Sequence, residues 1–188
     1  LSPDGQWIVV VDLLAQPEGT FLWHIDTGEK RRILPRPRRD NYQARFSRDS
    51  RVVACCDSDT VHFVDTTTGE PCFHPLRHPS WVYAVEFSND SKRLLTFGKD
   101  STARVWEIET GKLLGAQPGS DDIIARLRPG QREVLMTDYH GRFHVWDWQQ
   151  TQRLMPVRHL SVIPDWCYSH HRTLEVSPDG RFVAIGGN

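Results

Sequence analysis

The sequence predicts an all-β fold built from repeated, four-stranded antiparallel units, because two patterns recur along its 188 residues. An apolar residue followed by a short polar turn occurs five times, with spacings of 45, 41, 40 and 49 residues. A strand-length apolar run follows each turn, and consecutive apolar residues are typical of a strand that is covered on both faces. The turns lie at residues 1–5, 46–50, 87–91, 127–131 and 176–180, and the runs at 8–11, 52–56, 94–97, 134–136 and 182–185.

The remaining strands of each unit follow in a fixed order. A second polar turn leads from the apolar run to a third strand, as residues 99–102 do before residues 103–106, so each unit contains a hairpin. A Thr-Gly turn closes three of the units, at Gly28, Gly69 and Gly111, and one more short strand precedes the next repeat. Four strands per ~40–45 residues predict the blade of a β-propeller.

An aromatic residue that ends the third strand adds a family resemblance. The dipeptides at this point are Trp146-Asp147, the variants Trp106-Glu107 and Trp23-His24, and the departure Phe63-Val64. Together with the Ser-x-Asp turns, they make the chain resemble the WD-repeat family, in a bacterial form, over essentially its whole length. The resemblance implies a partial propeller of about four blades plus a stub, within a larger ring of about seven blades. We place the repeats at approximately residues 1–45, 46–86, 87–126, 127–175 and 176–188.

The resemblance also implies a hydrogen-bond network inside a blade. Family members often join a His before the innermost strand, an Asp in the second turn and the Trp of the third strand. His78, Asp100 and Trp106 of the third repeat match this pattern, and we expect most of the network there. The other repeats lack one or more of these residues, so we expect them to rely on packing.

Composition argues against several other classes of protein. Hydrophobic residues make up 38% and charged residues 25% of the chain, which is ordinary for a globular protein. A net charge of −1 gives no overall attraction to nucleic acid or to an anionic membrane. The longest apolar stretch, residues 7–15, contains Asp12 and is far too short to span a bilayer. The chain starts without Met and without a visible signal peptide, so we expect the start of the gene product upstream.

The cysteines and two polar clusters do not favour a disulfide framework, a metal site or an anion-binding site. The four cysteines form no C-x-x-C pair, which predicts reduced thiols in a cytoplasmic protein. Adjacent His residues in a strand point to opposite faces, so an exposed loop is favoured over a metal site at Asp165, Cys167, His170 and His171. The basic run from Lys30 to Arg39 fits either a grip on an acidic partner or phosphate, or a solvated connection, and the solvated connection is favoured.

The chain shows no catalytic motif. A nucleophile elbow, a zinc-protease motif, a phosphate loop and a dinucleotide fingerprint are all missing from the sequence, so we expect no enzymatic activity and no cofactor. The resemblance implies a scaffold that binds a protein or peptide on its upper face. In similar proteins the contact residues open each innermost strand or precede the Asp of the second turn. Transferred by repeat register, the first set is Asp40, Trp81, Asp121 and His170, and the second set is Cys56, Lys99 and Tyr139.

Two alternatives accompany this hypothesis. Trp81 opens an innermost strand, where its ring either contacts a partner or packs at the rim of the central channel. Alternatively, the propeller is a regulatory or sensor part of an upstream enzyme such as a bacterial serine/threonine protein kinase. This alternative rests on residues 77–85 and on the Thr-Gly turns, which are similar to those of bacterial propellers that are fused to protein kinases. We expect no nucleic-acid or membrane partner, and we expect self-association of a truncated propeller because its end sheets would be uncovered.

Overall fold

The computed structural model describes residues 1–12, 19–35, 43–119, 124–128, 132–137, 142–150, 152–153, 158–159, 173–177, 179 and 181–186. All regular structure in this part of the chain is β-strand, and every strand pair is antiparallel. The all-β fold of repeated antiparallel sheets that the sequence predicts is therefore confirmed.

The strands form five sheets in chain order. The first sheet contains β1 (Trp7–Asp12), β2 (Gly19–His24) and β3 (Lys30–Pro35). The second contains β4 (Ala44–Phe46), β5 (Val52–Asp57), β6 (Thr60–Asp65) and β7 (Leu76–Arg77). The third contains β8 (Val82–Phe87), β9 (Arg93–Gly98), β10 (Thr102–Glu107) and β11 (Leu113–Pro118). The fourth contains β12 (Ile124–Leu127), β13 (Glu133–Thr137), β14 (Arg142–Asp147), β15 (Gln152–Arg153) and β16 (Arg158–His159), and the fifth contains β17 (Thr173–Val176) and β18 (Val183–Gly186).

The predicted repeat boundaries lie at the polar turns, whereas the second to fifth sheets each begin one strand before their turn. For example, β8 precedes the turn at residues 87–91, yet it pairs with β9 on the far side of that turn. Each innermost strand therefore pairs within the sheet that follows it in the chain. The second and third sheets each contain four strands in chain order, as expected for propeller blades.

Four of the five polar turns share one hydrogen-bond pattern, which explains why Ser and Asp recur in them. The Ser47 hydroxyl donates to Asp49 Oδ1 over 2.6 Å and accepts a hydrogen bond from the Val52 amide over 3.0 Å. Asp49 Oδ1 also accepts from the Arg51 amide over 3.2 Å. The two side chains thus satisfy the amides that the reversal leaves without a ladder partner. Equivalent contacts recur in the pairs Ser2 and Asp4, Ser88 and Asp90, and Ser177 and Asp179.

Hydrogen bonds also connect the turns of successive sheets. The Asp4 amide donates to Ser50 Oγ over 3.0 Å, and the Asp49 amide donates to Ser91 Oγ over 3.2 Å. Both serines occupy the turn position that Gly5 fills in the first repeat, and all three have positive φ angles. The serine side chain therefore links neighbouring sheets at a backbone position that normally favours glycine.

The sheets pack face to face, and the hydrophobic core lies in the layers between them. Successive residues of β9 belong to different layers: Leu94 packs toward the second sheet and Leu95 toward the fourth. This arrangement explains the consecutive apolar residues in the sequence, because both faces of an inner sheet are covered. Large buried side chains fill the four layers, for example Trp7 and Leu22, Phe63 and Trp106, Trp146 and Trp148, and Leu135 and Leu174.

Strand register corrects the position given to Phe63. Val53 pairs with Val64, just as Leu94 pairs with Trp106 in the third sheet. Val64, rather than Phe63, therefore occupies the tryptophan position of the second sheet, and Phe63 packs toward the third sheet. The difference arises because the β5–β6 hairpin is one residue shorter between these paired positions than the β9–β10 hairpin.

Candidate partner-binding surface

Three of the seven predicted contact residues, Cys56, Trp81 and Lys99, lie in the described part of the chain. The other four, Asp40, Asp121, Tyr139 and His170, lie outside the described residues and stay predictions. Asp165, Cys167 and His171, for which an exposed loop is favoured over a metal site, also lie outside them, as do residues 36–39 of the basic run.

Trp81 and Lys99 lie next to each other at one end of the third sheet. Trp81 directly precedes β8 and Lys99 directly follows β9, so the antiparallel pairing of these strands brings the two residues together. The Lys99 amide donates to the Trp81 carbonyl over 2.8 Å. The Lys99 ammonium lies 4.7 Å from the centre of the Trp81 ring. This is the geometry of a cation–π contact, and it leaves an exposed lysine beside a half-buried indole.

Gly98 allows this close approach. A Cβ atom at this position would collide with the Trp81 carbonyl oxygen, which accepts the hydrogen bond of Lys99. Any larger residue would therefore push the two strand ends apart. In the sequence, Gly98 is only a lone glycine at the end of an apolar run, which does not by itself predict a close contact.

The connection between the second and third sheets is fixed to the β5–β6 turn. The Val82 amide donates to the Ser58 carbonyl, and the His78 amide donates to the Asp59 carbonyl, each over 2.8 Å. Ser58 has a φ of 56°, which lets its carbonyl face this connection in a two-residue turn. Residues 57–60, 78–82 and 98–101 thus form one continuous surface, which we call the rim surface.

Cys56 does not belong to the rim surface, which corrects its predicted role. Its side chain is only 4% exposed and packs in the core layer between the second and third sheets. Burial raises the pKa of its thiol well above the usual range, so the group is neutral at physiological pH. The shorter hairpin explains the error: the transferred position falls inside β5, opposite Val61, and the turn begins later, at Ser58.

The third sheet contains part of the expected His-Asp-Trp network. The Trp106 indole N–H donates to Thr96 Oγ1 over 2.8 Å, and the His78 ring meets the Trp106 ring edge-on with centroids 5.1 Å apart. The expected bond between His78 and Asp100 is absent, because Arg104 binds both carboxylate oxygens of Asp100, over 2.5 and 3.1 Å. Thr96 and Arg104 are therefore network members that the sequence analysis missed.

Burial and charge keep His78 neutral. Desolvation, followed by the positive charge of Arg104, lowers the pKa of His78 to about 4, although the carboxylates of Asp100 and Asp59 oppose this shift. Within the described part of the chain, neither ring nitrogen of this buried imidazole makes a hydrogen bond. For Asp100, burial raises the pKa, but the hydrogen bond and the charge of Arg104 outweigh it and lower the pKa below its ordinary value. The two groups therefore stay in opposite states, one neutral and one ionised.

Other kinds of site find no support among the residues that the structure describes. No group of three or more His, Cys, Asp or Glu side chains there is arranged to hold a metal ion. Over the same ranges, no helix is long and apolar enough to cross a membrane.

Comparison with known proteins places residues 70–107 in the family model described as "WD domain, G-beta repeat". Target of rapamycin complex subunit LST8 of Bos taurus is 26% identical over 108 residues, which cover 55% of this chain and 30% of that protein. Target of rapamycin complex subunit wat1 of Schizosaccharomyces pombe is 26% identical over 152 residues, which cover 76% of this chain and 45% of that protein. Apoptotic protease-activating factor 1 of Danio rerio is 27% identical over 145 residues, which cover 74% of this chain and 11% of that protein.

These matches support the WD40 repeat family, as the Trp-Asp dipeptides and the repeated turns predict. The three relatives are eukaryotic, so they do not support the bacterial form that we expected. The chain spans less than half the length of each of these relatives.

Proposed function

We propose that this chain is a non-enzymatic protein-interaction scaffold that binds a protein or peptide partner at the rim surface. The observation that carries the proposal is the Trp81–Lys99 pair, which presents a large aromatic ring and a cation side by side. Aromatic residues that are partly buried before binding are common anchors in protein interfaces, because they bury much area and lose little side-chain entropy.

The rigidity of the rim surface supports this role. Main-chain hydrogen bonds at Ser58, Asp59 and Trp81 hold its three segments in place. A surface that is ordered before binding pays little entropy when a partner docks. Fold by itself does not fix function, so the proposal depends on these residues rather than on the sheets.

The printed names of two relatives also support protein partners, because both are described as subunits of a target of rapamycin complex. Asp40, Asp121, Tyr139 and His170 remain predicted extensions of the same surface. The link to an upstream enzyme such as a kinase also remains a prediction.

Capture of partners from a lysate of the source organism tests the proposal. We expect Trp81→Ala to abolish recovery of a specific partner and Lys99→Ala to reduce it, whereas Trp81→Phe retains part of the binding because it keeps an aromatic ring. Lys112→Ala is the matched control, since Lys112 is an exposed lysine in the turn before β11, away from the rim surface. Equal recovery by Trp81→Ala and by the control would contradict the proposal.

A further inference from the structure

A cavity of about 650 Å³ opens beside the rim surface, at the end of the β5–β6 hairpin. Residues 57–60 of the turn, His62, Pro75 and Arg77 line it. Its volume lies within the range of pockets that hold small ligands or single side chains of a partner.

Three charged residues line this cavity, the acids Asp57 and Asp59 and the base Arg77, and Asp57 already has an interaction partner. Asp59 Oδ1 accepts a hydrogen bond from the Thr60 hydroxyl over 2.9 Å. In the described part of the chain, Asp59 Oδ2 has neither a hydrogen bond nor an ion pair, and the same is true of the Arg77 guanidinium. A carboxylate and a guanidinium that line one cavity separately are suited to a ligand that carries both charges.

The rest of the lining fits a short peptide better than a free ion. Pro75 gives an apolar wall for the aliphatic part of a long side chain. His62 is half-buried, and desolvation together with the charge of Arg77 lowers its pKa despite the opposing charge of Asp57. The imidazole is therefore neutral at physiological pH and adds no positive charge to the cavity.

The cavity is continuous with the rim surface. The Asp59 carbonyl accepts from the amide of His78, the residue after Arg77, and the Ser58 carbonyl accepts from the amide of Val82, the residue after Trp81. The cavity and the Trp81 ring therefore lie at the two ends of one short segment, and an extended peptide chain spans such a distance with a few residues.

We propose that this cavity is a subsite for a partner peptide with adjacent basic and acidic side chains, in which Asp59 binds the cation and Arg77 binds the carboxylate. The inference rests on the proposed function, because the same partner would contact Trp81. It adds a charge pattern that the rim surface alone does not require.

Fluorescence anisotropy with four labelled peptides tests the subsite in the complete natural chain that carries these residues. The peptides are acetylated and amidated Ala-Arg-Glu-Ala, Ala-Arg-Gln-Ala, Ala-Gln-Glu-Ala and Ala-Gln-Gln-Ala. We expect the doubly charged peptide to bind most tightly and its affinity to fall with added salt. Asp59→Asn should weaken binding of the two Arg-containing peptides by about 1.4- to fivefold and leave the Gln-Glu peptide unchanged, since one exposed charge pair is worth about 0.2–1 kcal/mol.

Arg77→Gln should have the complementary effect, weakening only the peptides that contain Glu. Asp26→Asn, in an exposed turn of the first sheet, is the matched control and should change nothing. Equal binding of all four peptides, no binding up to millimolar concentration, or equal losses for every peptide in both variants would overturn the subsite. If Trp81→Ala abolishes partner capture while the Asp59 and Arg77 variants retain it, the scaffold function stands and the subsite alone is wrong.

Discussion

The ammonium group of Lys99 lies 4.7 Å from the centre of the Trp81 ring, and the main chains of the two residues are joined by a 2.8 Å hydrogen bond. Neither contact depends on sequence proximity, because 18 positions separate the residues and only the pairing of β8 with β9 unites them. The main-chain bond fixes the strand ends, and the side-chain contact orients the indole. The candidate binding surface is thus a product of strand register.

Substitution of Gly98 tests this dependence. A methyl group at Gly98 would collide with the Trp81 carbonyl, so Gly98→Ala should displace the strand ends and destabilise the fold by about 1–3 kcal/mol. Gly28→Ala is the control: nothing lies within 4 Å of a Cβ there, and only its positive φ of 70° opposes the substitution. Denaturant unfolding would measure both free energies. A smaller loss for Gly98→Ala than for Gly28→Ala would show that the close approach is not needed.

His78 should make stability depend on pH. Its pKa is about 4 in the folded chain and about 6.5 in the unfolded chain, so the unfolded state binds more protons between these values. Stability should therefore fall as the pH drops from about 6.5 to about 4, by at most about 3 kcal/mol, and this contribution should level off below pH 4. The charged groups that face the imidazole are Asp59, Asp100 and Arg104.

The difference between the wild type and His78→Gln isolates this contribution, because carboxylates titrate in the same pH range. Urea unfolding at several pH values should show a shallower loss of stability for His78→Gln than for the wild type. His74→Gln, at an exposed histidine nearby in the chain, is the control and should follow the wild type. Identical slopes for all three proteins would mean that His78 is already accessible to protons.

Ser50 combines a strained backbone with an inter-sheet hydrogen bond. Its φ is 63°, and its hydroxyl oxygen accepts a hydrogen bond from the Asp4 amide. Ser50→Ala removes the bond and keeps the strain, whereas Ser50→Gly removes both, so we expect the alanine variant to be less stable than the glycine variant by about 1 kcal/mol. Calorimetric melting of the two variants, with the same pair made at Ser91, provides the comparison. An alanine variant as stable as the glycine variant would show that the turn changes shape.

The outer face of the first sheet predicts how residues 1–188 behave when they are expressed alone. Ile8 is 39% and Trp23 44% exposed, whereas their equivalents Val53 and Trp106 are 0% and 9% exposed because a neighbouring sheet covers them. Exposed apolar sheet faces drive association. Light scattering should therefore detect oligomers, and Ile8→Asn combined with Trp23→Gln should reduce them. A monodisperse monomer of the unmodified chain would contradict this expectation.

The sheets were predictable because their pattern is redundant. The apolar runs recur in every repeat and four of the five turns contain Ser and Asp, so one irregular repeat does not hide the period. The shorter β5–β6 hairpin was not predictable, since Phe63 and Val64 are both apolar and either fits the third-strand position. The same one-residue difference explains why Cys56 lies in the core and not on the rim surface.

The details of the site depended on contacts that spacing does not encode. The sequence predicts a network of His78, Asp100 and Trp106. In the structure, however, Arg104 donates two hydrogen bonds to the Asp100 carboxylate. Trp81 and Lys99 were both predicted as contact residues, yet their mutual contact appears only once the strands are paired. Sequence patterns thus predict which residues reach this end of the sheet, and the register decides which of them touch.

Hydrogen exchange of the complete natural chain, with and without the partner recovered by the wild type and lost by Trp81→Ala, tests the rim surface most directly. Binding should slow exchange at turn amides within residues 57–60, 78–82 and 98–101 and leave β11 unchanged. Slower exchange confined to β11 or to the outer face of the first sheet, with no effect in those three segments, would contradict the proposal that the partner binds at the rim surface.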